Sequence, residues 1–438
     1  MRARAPIGLP TAPLETHPSR GEGALPAAPT SRLPPARCSR SLVLSGNQAD
    51  CRSRVPLALP SRYNLAARVE RIPAHCFWEI TEACNLRCIH CEAEAGRADR
   101  GELSTEEALS LVDELAQAGC QHVCLTGGEP LVRRDWPVIA RELRARDVEV
   151  TVITNGVLVD ASVLAVMVEV GVGGISVSLD GRQEVHDAIR LPAEPHLGSI
   201  HDRALRAIEL AHAAGLKVAV ITQVHRHNLD DLAEMYELLA RLQADAWQVQ
   251  LCMPLGRLLR CKDDYLLEPS QLPVLLDLLE GFVRQARVPI LVADNIGYYG
   301  RSEAILRGSS RGSESFWAGC LAGCRVVAIR SNGDVKGCPS HPVEFVAGNV
   351  RTTPFSVLWS ERERFAYNTA FREDLLEGGC AQCEYRRICR AGCTSMAYAV
   401  TGTIYNNPFC VQQVAGGAAA QHRDDRRCLL GDPPEGEG

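Results

Sequence analysis

Cys84-Asn85-Leu86-Arg87-Cys88-Ile89-His90-Cys91 sets three thiols at the spacing CxxxCxxC. Soft thiolates crowded onto a short loop suit an iron–sulfur cluster. Three ligands are one short of the usual four, so a [4Fe–4S] cube held here keeps one iron open for another group. Zinc is the alternative, but zinc loops usually complete four ligands with a second CxxC pair, and none follows nearby.

Eight more thiols lie towards the C-terminus: Cys320, Cys324, Cys338, Cys380, Cys383, Cys389, Cys393 and Cys410. Gly333 to Cys338 reads GxxxxC, and Cys380 to Cys393 reads CxxCxxxxxCxxxC. They suffice for two four-coordinate sites, of iron–sulfur clusters or of structural zinc.

The elements that must position these residues alternate. Apolar runs at Cys76–Thr81, His122–Leu125, Glu149–Thr154, Gly174–Leu179, Lys217–Val224 and Trp247–Met253 predict six strands. Helical spacing separates them. Ser104 or Thr105 caps the first helix, Glu107 stands where a capping box needs it, and Leu109, Val112 and Leu115 recur at helical period. Further helices are predicted over Asp135–Arg146, Ala161–Val170, Ser199–Ala214, Leu229–Arg241 and Gln271–Arg287. Six βα units in a row predict a parallel sheet with right-handed crossovers, its strands apolar because both faces are covered. Periodicity alone allows a barrel or an open doubly wound sheet.

In either case the chemistry belongs at the carboxyl ends of the strands. Thr126-Gly127-Gly128-Glu129-Pro130 stands there, and paired glycines let backbone approach a ligand closely. Asn155, Ser178, Asp180, Arg190, Gln223 and Cys252 also fall at or just beyond strand ends. For Asn155, Asp180 and Gln223 a helix cap or an ion pair is an equal alternative. Cys252 is a candidate hydrogen donor to a substrate radical or a buried core thiol.

CNLRCIHC resembles the cluster motif of radical S-adenosylmethionine (SAM) enzymes. The resemblance implies a partial (β/α)6 TIM-like barrel. It also implies an open iron that chelates SAM, whose reductive cleavage gives a 5′-deoxyadenosyl radical able to abstract hydrogen. Gly127, Gly128, Glu129 and Pro130 match the family's GGEP motif, which contacts the methionine amine. Ser178 and Arg190, twelve residues apart, match the pair that holds the SAM carboxylate and ribose. Asn155, Asp180 and Gln223 are further cofactor contacts by the same analogy, and His90 sits where many relatives carry an aromatic near the adenine. The C-terminal thiols resemble the SPASM extension, a small cysteine-rich iron–sulfur domain. That implies one auxiliary [4Fe–4S] cluster on Cys320, Cys324, Cys338 and Cys393, and another on Cys380, Cys383, Cys389 and Cys410.

SPASM enzymes mostly modify peptides, so the leading expectation is maturation of a ribosomally made precursor peptide. A separate leader-peptide-binding protein and a flavodoxin- or ferredoxin-type reductant are the expected partners. The CxHC form is similar to haem-biosynthesis relatives too, which makes a tetrapyrrole or other small cofactor the alternative substrate. A non-catalytic iron–sulfur electron carrier is the alternative of another class. Sulfatase activation is disfavoured because Pro339, not Asp, follows Cys338; His341 is a candidate base in its place.

Residues 1–72 hold eleven arginines against four acids, which leaves thirteen net negative charges on the remainder. An acidic body argues against nucleic acid. Ten of the 25 prolines fall before residue 61, so residues 1–73 read as a disordered extension, or as an early start codon, that carries Cys38 and Cys51. The organisation expected is a radical SAM core over 74–293, a Ser- and Gly-rich linker over 294–315, the auxiliary-cluster domain over 316–412 and a disordered tail over 413–438 with Cys428. Nineteen cysteines at metal-like spacings, with no apolar run fit to span a bilayer, point to a reducing cytoplasm and no membrane.

Overall fold

A computed structural model of the chain describes residues 71–311 and 316–414. Most of the N-terminal extension, most of the tail, and Cys38, Cys51 and Cys428 lie outside the described residues.

Strands β1 (His75–Thr81), β2 (His122–Gly127), β3 (Glu149–Thr154), β4 (Gly174–Ser178), β5 (Lys217–Val224), β6 (Ala246–Leu251) and β7 (Ile290–Val292) pair in chain order. All six pairings are parallel. The order never reverses, so the open doubly wound alternative is excluded. β7 was not expected, because three residues carry too little pattern to read. It makes no pairing with β1, and the sheet remains a partial barrel.

The crossovers hold helices α1 (Thr105–Gln117), α2 (Trp136–Arg144), α3 (Ala161–Glu169), α4 (Gln183–Ile189), α5 (Ile200–Ala213), α6 (Leu232–Arg241) and α7 (Leu272–Gln285). α1 starts at the expected capping box: Ser104 Oγ accepts from the Glu107 amide at 3.2 Å, and the Glu107 carboxylate accepts from the Ser104 amide at 2.8 Å. Its buried stripe is Ala108, Leu111, Val112 and Leu115, with Leu109 on the flank. The core lies between sheet and helices. Val123, Leu125, Val150, Val152, Val177, Val218 and Val220 are buried along the strands. Trp247 is wholly buried beside Tyr236 and Phe282, whose rings stack 4.4 Å apart. Burying each such side chain contributes on the order of 2 kcal/mol.

The sheet continues into the C-terminal part of the chain. β8 (Val326–Ile329) pairs parallel to the free edge of β1, β9 (Asp334–Lys336) turns back antiparallel, and β10 (Gly348–Asn349) follows it. The stretch expected as a linker is partly regular: α8 spans Glu303–Arg311. Arg307 is buried and its guanidinium donates to the Ile296 carbonyl at 2.6 Å. Asn295, Tyr298 and Tyr299 brace the segment that follows β7. Asn295 exchanges hydrogen bonds with the Leu251 backbone at 2.8 and 3.1 Å. Tyr299 stacks on Tyr385 at 4.2 Å, and the Tyr298 hydroxyl accepts from the Cys393 amide at 2.8 Å.

Candidate active site

The loop bearing Cys84, Cys88 and Cys91 leaves the carboxyl end of β1 and is clamped on three sides. The first clamp is the turn after β2. The Gly128 amide donates to the Thr81 carbonyl at 2.7 Å, and the Glu129 amide to the Ala83 carbonyl at 2.8 Å. A Cβ on Gly127 would lie 2.2 Å from the Thr81 oxygen, and one on Gly128 would lie 2.2 Å from the Ala83 oxygen. The glycines thus admit the cysteine loop itself.

The second clamp is the end of α4 and the residues just past it, where the Ile89 amide donates to the Ile189 carbonyl at 2.8 Å and the Arg87 amide to the Leu191 carbonyl at 2.7 Å. The third follows β6. Gly256, at φ +53°, packs so tightly that a Cβ would meet the Cys91 oxygen at 2.3 Å. Arg257 Nε then donates to the Cys88 carbonyl at 2.7 Å. Sequence reasoning passed over Arg257, although a Gly-Arg pair just past a strand end was a usable signal.

Strand-end residues converge behind this loop. Glu129 is fully buried, and its carboxylate accepts from Thr154 Oγ1 and the Asn155 amide, both at 2.9 Å. Burial pushes its carboxyl up to about 7 despite these donors. Asn155 Nδ2 donates to Asn85 Oδ1 at 2.7 Å, which ties β3 to the cysteine loop. Pro130 is buried as the first residue of a short turn of 3-10 helix after Glu129.

Asp180 is the hub of the far side. Its carboxylate accepts from Arg190 Nε at 2.6 Å and from the Gln223 amide at 2.9 Å, with His90 Nε2 3.4 Å away. Burial opposes its ionisation, yet Arg190, His90 and His186 together hold the carboxyl below the usual carboxylate range. Ser178 is buried at the end of β4, two residues before Asp180. The Gln223 side chain accepts from the Cys252 thiol at 3.5 Å, which puts both inside the barrel mouth.

Three buried ring nitrogens near Asp180, His90 Nδ1, His186 Nε2 and His225 Nε2, have no partner among the described residues. Burial holds His90 and His186 near pKa 3 and His225 near 4, so the rings are neutral at ordinary pH. Orphaned polar atoms around an ion pair fit a polar cofactor such as SAM. His225 was missed from the sequence, although it directly follows the last residue of β5.

The thiols suit metal ligation. All sixteen described cysteines are free of disulfides. Burial pushes Cys84 up to about 12 and Cys88 to about 11, so they hold protons until a metal displaces them. The C-terminal thiols sort into two neighbourhoods. Beyond burial, Cys393 is raised by Cys320 and Cys338, and Cys324 by Cys320. Cys389 is raised by Cys410, Cys380 and Cys383. Among the described residues no three Cys, His, Asp or Glu side chains draw together tightly enough to share one metal ion. Instead, Cys380, Cys383, Cys389 and Cys410 surround a cavity of about 390 Å³. His341 lies on the loop after Cys338, buried, with both ring nitrogens unpartnered.

The comparisons with known proteins agree with this layout. Residues 78–239 match the model of the radical SAM superfamily, and residues 320–384 match the SPASM iron–sulfur cluster-binding domain. The chain is 32% identical to an AdoMet-dependent heme synthase of Methanosarcina barkeri, over 76% of this chain and 95% of that protein. It is 33% identical to the mycofactocin maturase MftC of Mycobacterium ulcerans, over 79% of this chain and 90% of that protein. Among solved structures, anSMEcpe with bound AdoMet and the Cp18Cys peptide aligns with TM-score 0.60 at 19% identity, covering 81% of this chain and 99% of that one. SuiB of Streptococcus suis bound to S-adenosylmethionine aligns with TM-score 0.59 at 17% identity, covering 77% and 76%. Matched motifs, matched fold and full-length relatives lead to one assignment: the chain belongs to the radical SAM superfamily and carries a SPASM domain with its auxiliary iron–sulfur clusters.

Proposed function

We propose that this radical SAM enzyme modifies a ribosomally made precursor peptide by cross-linking, oxidation or decarboxylation. The observation that carries the reading is the charge of a cavity of about 300 Å³ beside the cysteine loop. Glu79, Glu82, Glu92, Glu94 and Glu344 line it against only two cations, Arg330 and Lys336. A tetrapyrrole bearing several carboxylates would meet like charge there, whereas a peptide need not. The mycofactocin maturase relatives and the peptide-bound structures support the same substrate class.

When bound, the reduced [4Fe–4S] cluster and SAM supply a carbon-centred radical that takes a hydrogen atom from the substrate. Cys84, Cys88 and Cys91 would hold that cluster, and the two C-terminal sets would hold the auxiliary ones. Gly127 and Gly128 keep the cysteine loop in place, and Glu129 locks β2 to β3. His90, Asn155, Ser178, Asp180, Arg190 and Gln223 would orient SAM. Cys252 and His341 are the candidates for moving a hydrogen or a proton. The partners in this reading are the precursor peptide, a separate leader-binding protein and a flavodoxin- or ferredoxin-type reductant. The working compartment is the reducing cytoplasm. Among the described residues no helix is long and apolar enough to cross a membrane.

The test is anaerobic incubation of reduced, cluster-loaded protein with SAM and a short peptide encoded beside the gene. 5′-Deoxyadenosine together with a mass change in the peptide supports the proposal. The same product with a tetrapyrrole alone supports the second reading, which the heme synthase relatives favour. No deoxyadenosine with either substrate would reduce the protein to an electron carrier.

A further inference from the structure

The acidic cavity recognises more than the absence of carboxylates. We infer that it receives a basic side chain of the peptide substrate, Lys or Arg, while His341 hydrogen-bonds the adjoining main chain. This inference rests on the peptide reading above.

The two lining cations are already committed. Lys336 Nζ donates to the carbonyls of Pro339 and His341, both at 2.9 Å. Arg330 donates to Glu82 at 2.7 Å and stands 3.7 Å from Asp334. Glu94 takes Arg260 at 2.7 Å. Glu79 stands 4.0 Å from Arg330 and also feels the charge of Lys336. Glu92 is half-buried on the loop just past Cys91 and takes a hydroxyl from Ser340. Glu344 stands exposed at the end of the Pro339–Glu344 loop. The cavity therefore sets five glutamates against two cations; burial raises the Glu79 carboxyl against the pull of Lys336 and Arg330, and a further cation would favour its ionised form.

The second observation is independent of charge. His341 is only 2% exposed, lines the same cavity, and neither of its ring nitrogens has a partner among the described residues. Its ring packs between Phe345, 4.7 Å away, and Tyr367, edge-on at 4.9 Å. A neutral imidazole carries one donor and one acceptor, the complement of a peptide N–H and C=O. A cavity of about 300 Å³ sits at the small end of ligand pockets, roughly 300–1,000 Å³, and suits one side chain with a little main chain.

The test uses the full, cluster-loaded chain and three probes: the methylamides of N-acetyl-arginine, N-acetyl-norleucine and N-acetyl-glutamate. Binding is read by broadening of probe NMR lines near the paramagnetic clusters. The arginine probe should bind at least about five-fold more tightly than the glutamate probe, with the gap shrinking as salt rises. Glu92→Gln combined with Glu344→Gln should close the gap. His341→Phe should weaken all three probes by several-fold, and His341→Gln should restore part of the loss. Equal binding, or preference for glutamate, in the wild-type protein overturns the inference even if those variants lose their iron. The peptide reading is then still judged by the mass change above. A carboxylated porphyrin that displaces the arginine probe and binds more tightly overturns both.

Discussion

Arg190 and Asp180 form a buried ion pair at 2.6 Å, with side chains 9% and 0% exposed. The pair joins the end of β4 to the segment that runs beside the cysteine loop. Breaking it leaves a guanidinium in the barrel without a counter-charge. Asp180→Asn should therefore cost about 3 to 5 kcal/mol of stability, read as a lowered denaturant midpoint of the cluster-loaded protein. The folded carboxyl ionises at lower pH than it would in the unfolded chain. Its contribution is thus complete above about pH 4 and fades only below that. A variant as stable as the parent at pH 7 would show that Arg190 finds another partner.

Glu129 should behave in the opposite sense. Its carboxyl is raised to about 7 by burial, above the unfolded value near 4.3. Stability should fall as pH rises from about 4 through 7, by on the order of 3 kcal/mol. Glu129→Gln removes the ionisation, so the difference between variant and parent should shift in the variant's favour over that window. A difference that does not change with pH would mean Glu129 is already ionised at pH 5.

Gly128→Ala should dislodge the cysteine loop, because the new methyl would meet the Ala83 oxygen at 2.2 Å. The expected result is loss of ~4 irons per chain, the content of one cube, and loss of SAM cleavage. Iron analysis and deoxyadenosine formation check both. Full iron with full turnover would show that the loop has room to retreat.

The two C-terminal thiol sets should fail separately. Cys393→Ala and Cys410→Ala should each lower iron from ~12 to ~8 per chain, and the double variant to ~4. Loss of ~8 irons from a single variant would mean that the sets share a ligand or that one folds only with the other.

Much of this layout was legible beforehand. Strand and helix periods recur locally, so β1 to β6 and their helices could be placed to within a few residues. β7 escaped because it is short. α4 escaped because the polar stretch Gln183–Ile189 has little apolar repeat. The supposed linker escaped because Ser and Gly near residue 308 masked the helix that Arg307 anchors.

Residue type and spacing alone determined that three thiols share a loop, that eight more stand at metal-like spacings, and that glycines and an acid stand at strand ends. Those are properties of neighbours along the chain. Only tertiary packing decided what meets what. It spent Gly127 and Gly128 on the cysteine loop and brought Arg257 and His225 to the site. It also grouped Cys393 with Cys320 and Cys338, laid the β8–β9 hairpin on β1, and brought five glutamates to one cavity. Such meetings join residues tens to hundreds of positions apart, and no short-range pattern encodes them, because they follow from which surfaces the folded sheet and helices leave to be filled.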